Sequence, residues 1–374
     1  MIYLDNAATT WPKPEIVYRA VDEALRRAAN PGRGGYDFSQ ESSRRVLAGR
    51  ETVARFFNVP ARQIIFTAGA TDSINMVIYG LQPLSKILSV GFEHNALWRP
   101  LEDVARRFAV DVQYINPLAP TDFDWDMYRQ GLEGEPDLVA ISHASNVTGQ
   151  TYPLGKMVQM AKDAGALTLV DVAQTAGVLD LDFSALGLDF AAFPGHKGLL
   201  GPQGIGGLYI RPGAQLRPRR LGGTGSKSSS PLAPEQLPDR HESGTLNVPG
   251  IAGMAAGIGY LSKMGLDAVC AHEGKLRERA VSGLRQLGAK IYGGAPSVGV
   301  LSFNLPGLDS SELAYILGDS YSICVRGGLH CSPRGHSSLG TTDLGTVRVS
   351  PGIFNTEADI DKLLVALSQL QNMR

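Results

Sequence analysis

Apolar residues at Ile16, Val17, Ala20, Val21, Ala24 and Leu25 recur at helical spacing and predict a helix over 13–29, with Pro14 in its first turn. A second helix is predicted over 40–57. The pattern then changes to short apolar runs separated by amphipathic stretches. Strands are predicted at 64–66, 86–90, 110–115, 138–142, 167–172, 190–193 and 206–210, with helices at 72–81, 94–108 and 153–164 between them. Such alternation predicts an α/β fold, a mostly parallel sheet with helices on both faces. From 222 to 238 the composition shifts to Gly, Ser and Pro around Lys227-Ser228-Ser229-Ser230-Pro231, which reads as a mobile surface loop. A helical stretch over 251–287 follows, then strands at 290–292, 298–303, 323–326 and 346–350, and helices at 310–317 and 357–370. This second pattern is a smaller α+β unit. The expected division is a large α/β domain over 15–250 and a small α+β domain built from 1–14 and 251–374.

In open α/β sheets, ligands bind at the carboxyl ends of the strands. Thr71, His94, Asn146, Asp171 and Lys197 all fall at or just after predicted strand ends, so one shared site is expected. Asp171 closes the run Leu167-Thr168-Leu169-Val170-Asp171, and Lys197 sits in the small-residue turn Phe193-Pro194-Gly195-His196-Lys197-Gly198. Taken singly, the lysine reads as a solvated loop residue and the aspartate as a cap or turn former. Together they fit pyridoxal 5'-phosphate (PLP), which needs a lysine amine for its Schiff base and an acid to keep its pyridine nitrogen protonated. Ala68-Gly69-Ala70-Thr71-Asp72-Ser73 places small residues and a hydroxyl at a helix start directly after a strand. That is either an ordinary cap or a phosphate cup, to which His196 could add a donor.

Composition narrows the setting. The chain has 374 residues, 43% hydrophobic, enough for a large core and two domains. A formal charge of −1 gives no footprint for nucleic acid, and Arg217-Pro218-Arg219-Arg220 reads as a solvated surface cluster. No apolar run approaches the ~20 residues needed to cross a bilayer, and the N-terminus lacks a signal-peptide pattern. Three cysteines, Cys270, Cys324 and Cys331, are too few for a disulfide framework and wrongly spaced for zinc. A cytoplasmic protein with reduced thiols, no metal and no membrane partner is expected.

The ordered set of motifs resembles the cysteine desulfurases of the class V aminotransferase group, with PLP fold type I, over essentially the whole chain. Its marks are Tyr3-Leu4-Asp5-Asn6-Ala7-Ala8-Thr9, Gly69-Ala70-Thr71, Glu93-His94-Asn95, Ser145-Asn146-Val147-Thr148-Gly149 and Val170-Asp171-Val172-Ala173-Gln174. They continue with Gly195-His196-Lys197, Gly201-Pro202-Gln203-Gly204, Glu242-Ser243-Gly244-Thr245-Leu246-Asn247, Arg326-Gly327-Gly328-Leu329-His330-Cys331 and Arg348-Val349-Ser350. The resemblance implies that Lys197 holds PLP and shuttles the alpha proton. Asp171 should pair with the ring nitrogen, Gln174 with the ring hydroxyl, and His94 should stack on the ring and move protons. Gly69, Ala70, Thr71 and His196 should bind the phosphate, with Thr245 reaching it from the partner subunit of a homodimer. Arg348 should clamp the substrate carboxylate with Asn146 nearby. Cys331 should attack the sulfur of L-cysteine to give alanine and an enzyme persulfide for a sulfur-acceptor protein or small thiol, aided by His330, Arg326 and Arg334. Cys324 reads as a small buried hydrophobe and Cys270 as structural or incidental.

Some positions depart from the pattern. Ala70 stands where many relatives carry a second hydroxyl, and Gly32-Arg33-Gly34-Gly35-Tyr36 only loosely matches the family's His-Arg-Gly-rich loop. The segment from Cys331 to Arg348, read as a loop, is slightly longer than in the short-loop desulfurases and selenocysteine lyases, the nearer group. That length leaves the sulfur acceptor open, and L-selenocysteine, one chalcogen atom from L-cysteine, stays open as a substrate. So do a transaminase or racemase on this scaffold, and a non-catalytic scaffold in sulfur trafficking.

Overall fold

The structure is a computed structural model that describes residues 1–32, 34–115, 123–226, 229–293 and 298–373. Arg33 of the Gly-rich segment and Lys227 and Ser228 of the 222–238 stretch lie outside the described residues. In chain order the strands are β1 (Ile2–Tyr3), β2 (Ile64–Thr67), β3 (Lys86–Val90), β4 (Asp111–Ile115), β5 (Leu138–Ser142), β6 (Leu167–Asp171), β7 (Phe190–Pro194) and β8 (Gly206–Ile210). They continue with β9 (Lys290–Tyr292), β10 (Leu301–Asn304), β11 (Ile323–Cys324) and β12 (Val347–Val349).

Seven of them form one sheet in the order β2-β8-β7-β6-β5-β3-β4. β7, β6, β5, β3 and β4 pair in parallel, and only β8 runs against its neighbours β2 and β7. β5, β6, β7 and β8 are buried at nearly every position, as both-face cover by helices requires. Two separate apolar cores flank the sheet, one around Phe57, Phe183, Phe193 and Tyr209, the other around Ile74, Leu97, Leu101 and Leu208. A smaller unit pairs β12-β10-β9 antiparallel and β1 with β11 in parallel, over a third core that joins Leu4 to Leu301, Phe303, Leu317 and Leu363.

The helical stretch expected over 251–287 consists of two helices. Gly265, at φ +85, ends the Val248–Met264 helix and starts the Leu266–Gln286 helix. Ile251, Met254, Ile258 and Leu261 of the first lie in the core of the large sheet. Two helices were not expected. Asp124 caps Trp125–Glu133 by accepting from Asp126 and Met127 N–H, and Pro333 opens Pro333–Leu339, which interrupts the segment read as a loop.

A buried ion pair fastens the start of the sheet. Arg50 meets Glu242 with two contacts of 2.7 Å, and also donates to the Ile64 carbonyl at 2.6 Å. Glu242 in turn accepts from Phe66 N–H at 2.6 Å. Glu242→Ala leaves a buried guanidinium unpaired, so a stability loss of about 3–5 kcal/mol is expected. A lower urea midpoint, with Glu242→Gln losing less, checks it.

Candidate active site

Five strand ends deliver side chains to one cavity of about 700 Å³. β2 leads through Gly69 to the Ala70–Gly80 helix, β3 to His94, β5 to Asn146, β6 ends on Asp171, and β7 leads to His196 and Lys197. The smaller unit adds Arg326, His330 and Arg348 from the opposite side. The turn after β2 depends on close backbone approach. Gly69 is at φ +152, and a Cβ on Gly206 would lie 2.6 Å from the Gly69 Cα.

Asp171 and Lys197 face each other electrostatically. Burial pushes the Asp171 carboxyl up, against the Ala173 N–H and the Lys197 charge, which favour the carboxylate. Burial brings the Lys197 amine down to about 8, with Asp171 opposing and Arg348 and Arg326 reinforcing. Asp171 accepts from Ala173 N–H at 2.9 Å. Gln174 donates to the Ala7 carbonyl at 3.1 Å from the cavity wall.

His94 caps the Asn95–Phe108 helix, its Nδ1 accepting from Ala96 N–H at 3.0 Å, so the ring proton sits on Nε2. Burial first, then Lys197 and the nearby arginines, bring its pKa to about 3. The ring is neutral, which suits stacking better than the proton-moving role. His196 is brought to about 4 by burial and keeps its Nδ1 without a hydrogen-bond partner.

Arg348 is 1% exposed on β12. Its Nη1 donates to the Asn146 carbonyl at 3.1 Å and its Nη2 meets Asp5 at 2.6 Å, while Nε has no partner. Asn146 donates to the His330 carbonyl at 2.7 Å and its Oδ1 is unpartnered. The guanidinium is thus already half engaged, by an aspartate whose part was not foreseen. Arg220, read as solvated surface, also lines the cavity, as does Asp72. No spacing signal marks Arg220, because the chain between β8 and this arginine has no periodic pattern.

Cys331 lines an adjoining groove of about 920 Å³ that shares Thr71, Asn75, His94 and Ala96 with the cavity. Arg326 Nη2 lies 3.4 Å from its Sγ. The other two expected helpers are turned elsewhere. His330 aims Nε2 at the Thr346 carbonyl and hydroxyl, both at 3.0 Å, and burial brings it to about 2, so it carries no charge. Arg334 pairs with Glu93 at 3.3 Å and stacks on Tyr114. Cys324 is half-buried rather than buried, because β11 pairs only with the short β1. Thr245 is exposed and lines a different groove with Pro31, Val46 and Leu47. Among the described residues no cluster suits a metal ion, and no helix is long and apolar enough to cross a membrane.

The class-V aminotransferase family model matches residues 2–363. A probable cysteine desulfurase from Methanothermobacter thermautotrophicus is 35% identical, with 100% of this chain and 95% of the relative covered. A cysteine desulfurase from Serratia proteamaculans is 33% identical over 100% of this chain and 94% of its own. The solved apo cysteine desulfurase of Thermococcus onnurineus superposes with a TM-score of 0.92 at 33% identity, covering 100% of this chain and 95% of that one. A cysteine desulfurase of Escherichia coli gives 0.88 at 30% identity, over 99% and 94%. With its strand ends, buried acid and lysine arranged as described, the chain belongs to the class-V aminotransferase family and, within it, to the PLP-dependent cysteine desulfurases.

Proposed function

We propose that this chain binds PLP, converts L-cysteine to L-alanine, and leaves the sulfur as a persulfide on Cys331 for an acceptor protein or small thiol. The observation that carries the reading is a thiol beside Arg326 in a groove adjoining a cavity that both Asp171 and Lys197 line.

The cavity's own features fit the cofactor. A buried carboxyl that burial pushes up needs a cationic partner, which a protonated ring nitrogen supplies. The Ala70–Gly80 helix has no side-chain cap at its N-terminus, so its first N–H groups suit a phosphate. Thr71, His196 with its open Nδ1, and Arg220 line the same space. Lys197 would hold the cofactor, Gln174 would meet its ring hydroxyl, and neutral His94 would lie against the ring. When bound, the group supplies an electron sink for the substrate's alpha carbon.

The chain's residues do the rest. Lys197 Nζ, at about 8, takes and returns a proton near neutral pH. Arg348 receives the substrate carboxylate on Nε and on the edge it now gives to Asp5. Cys331 Sγ forms a bond to the substrate sulfur as that sulfur's bond to the beta carbon breaks. The carbon keeps the electron pair and gains a proton, completing alanine. Arg348→Lys loses the planar fork. A KM for L-cysteine higher by about tenfold or more, from a charged hydrogen bond worth about 1.5–3 kcal/mol, is expected in steady-state kinetics.

The reading includes a homodimer. Thr245 stands exposed outside this cavity, and Trp11, Leu25, Phe38 and Leu47 are exposed apolar side chains. We further place the division between the two units at Gly265 rather than at 251, since the Val248–Met264 helix packs with the large sheet. The function is tested by the mass of the Cys331 peptide after PLP-loaded protein meets L-cysteine without reductant. One added sulfur is expected. An unmodified peptide despite a spectral response to substrate would defeat the persulfide assignment. A monomer with full activity in solution would defeat the dimer.

A further inference from the structure

Cys331 sits in a backbone that does not hold itself. His330 and Cys331 are consecutive non-glycine residues in the left-handed region, at φ 52 and φ 57. Such a residue is strained and persists only where surrounding structure fixes it. Three contacts reach this segment from Glu93 and Asn95, between β3 and the Asn95–Phe108 helix. Asn95 N–H donates to the Cys331 carbonyl at 2.7 Å, and Ser332 Oγ donates to the Glu93 carbonyl at 3.2 Å. The third is the ion pair of Arg334 with Glu93. Glu93 is wholly buried, so removing its cation leaves a carboxyl that no solvent reaches.

We propose that Glu93 and Arg334 are positioning residues for the sulfur-transfer step: their ion pair fastens the Pro333–Leu339 helix, directly after Cys331, to the segment that carries His94. The thiol is thereby held in the groove that adjoins the cavity. The proposal rests on the reading of Cys331 as the sulfur-accepting thiol. The Arg334 guanidinium is itself fixed, 3.9 Å over the Tyr114 ring, and Tyr114 donates to Glu102 at 2.7 Å. The anchor therefore runs from the 333–339 helix through Arg334 to Glu93, which follows β3, and to Tyr114 on β4.

The groups facing the Glu93 carboxyl are Arg334, the Ser89 hydroxyl at 3.1 Å on β3, Tyr114 on β4, and Tyr152 before the Leu154–Asp163 helix. Burial raises Glu93 to about 7 against the pull of Arg334 and Ser89. The ion pair is complete above that pH and is lost as pH falls through it.

The test uses PLP-loaded protein with Arg334→Ala and, as an isosteric partner, Glu93→Gln. The rate of sulfur uptake by Cys331 is followed by peptide mass, alongside KM, the cofactor's spectral response to L-cysteine, and hydrogen-exchange protection of the Cys331–His336 amides. Both variants should slow uptake on the order of tenfold to a hundredfold while KM and the spectral response hold. Arg334→Lys should recover part of the loss. Wild-type protection should fall as pH drops through about 7, and in Glu93→Gln it should be low on both sides. Uptake at the wild-type rate in both variants overturns the proposal. Wild-type protein that takes up no sulfur on Cys331 sinks the persulfide assignment instead, and this role with it.

Discussion

Replacing Lys197 with alanine should stop alanine formation from L-cysteine, a loss on the order of 10²–10⁴-fold or more for the proton transfer alone. Among the described residues lining the cavity it is the one lysine, so no second amine stands ready to replace it. A lowered amine pKa does not single it out. Lys13 is also brought to about 8 by burial, yet its Nζ is spent on the Thr10 hydroxyl and the His196 carbonyl. Lys13 secures the turn that carries Lys197, and Lys13→Ala should lower stability more than it lowers turnover. Asp171 favours the charged Lys197 amine, whereas burial, Arg348 and Arg326 favour the neutral one. The amine should therefore become half neutral near pH 8, and combination of the apoprotein with PLP should accelerate as pH rises through that value. Lys197→Ala should show no such acceleration and no spectral response to L-cysteine. Full turnover in Lys197→Ala would remove the whole assignment.

The fold was legible where periodicity alone decides structure. The runs at 86–90, 138–142 and 206–210 are strands with the same limits in the structure, because short, mostly apolar segments bounded by turns have few other ways to be buried. The break at Gly265 was hidden because a single glycine, at φ +85, is all that separates the two helical runs. The Pro333–Leu339 helix was hidden because seven residues give no periodic pattern. At the site, residues on strand ends were legible from position, and the converging cavity contains Thr71, His94, Asn146, Asp171 and Lys197. What the sequence lacked was pairing at long range. Asp5 and Arg348 are 343 residues apart and meet at 2.6 Å. Glu93 and Arg334 meet across the same divide. Cations placed near Cys331 in sequence were expected to serve it, but backbone direction sent His330 and Arg334 to other partners and left Arg326 as the contact.

Cys331→Ala should separate the cofactor's chemistry from sulfur transfer. The substitution removes neither Lys197 nor Asp171 nor Arg348, so the spectral response to L-cysteine should persist. Alanine formation should fall at least about a hundredfold, as when a nucleophile is removed from a set that acts as a unit. Cys324→Ala and Cys270→Ala should leave turnover near wild type, since one lies in β11 and the other on the Leu266–Gln286 helix, neither lining the cavity or its groove. The same variant distinguishes the chalcogen. The carbon–selenium bond is weaker than carbon–sulfur and needs less help from an attacking thiolate. If Cys331→Ala fails on L-cysteine but keeps most of its rate on L-selenocysteine, the scaffold serves both and the thiol is what makes sulfur accessible. If both rates collapse, Cys331 is obligatory and Arg326, 3.4 Å from its sulfur, becomes the next residue to replace. A variant with undiminished turnover of L-cysteine would mean that the thiol takes no part. The reaction would then belong with the transaminase or racemase chemistry the same scaffold can hold.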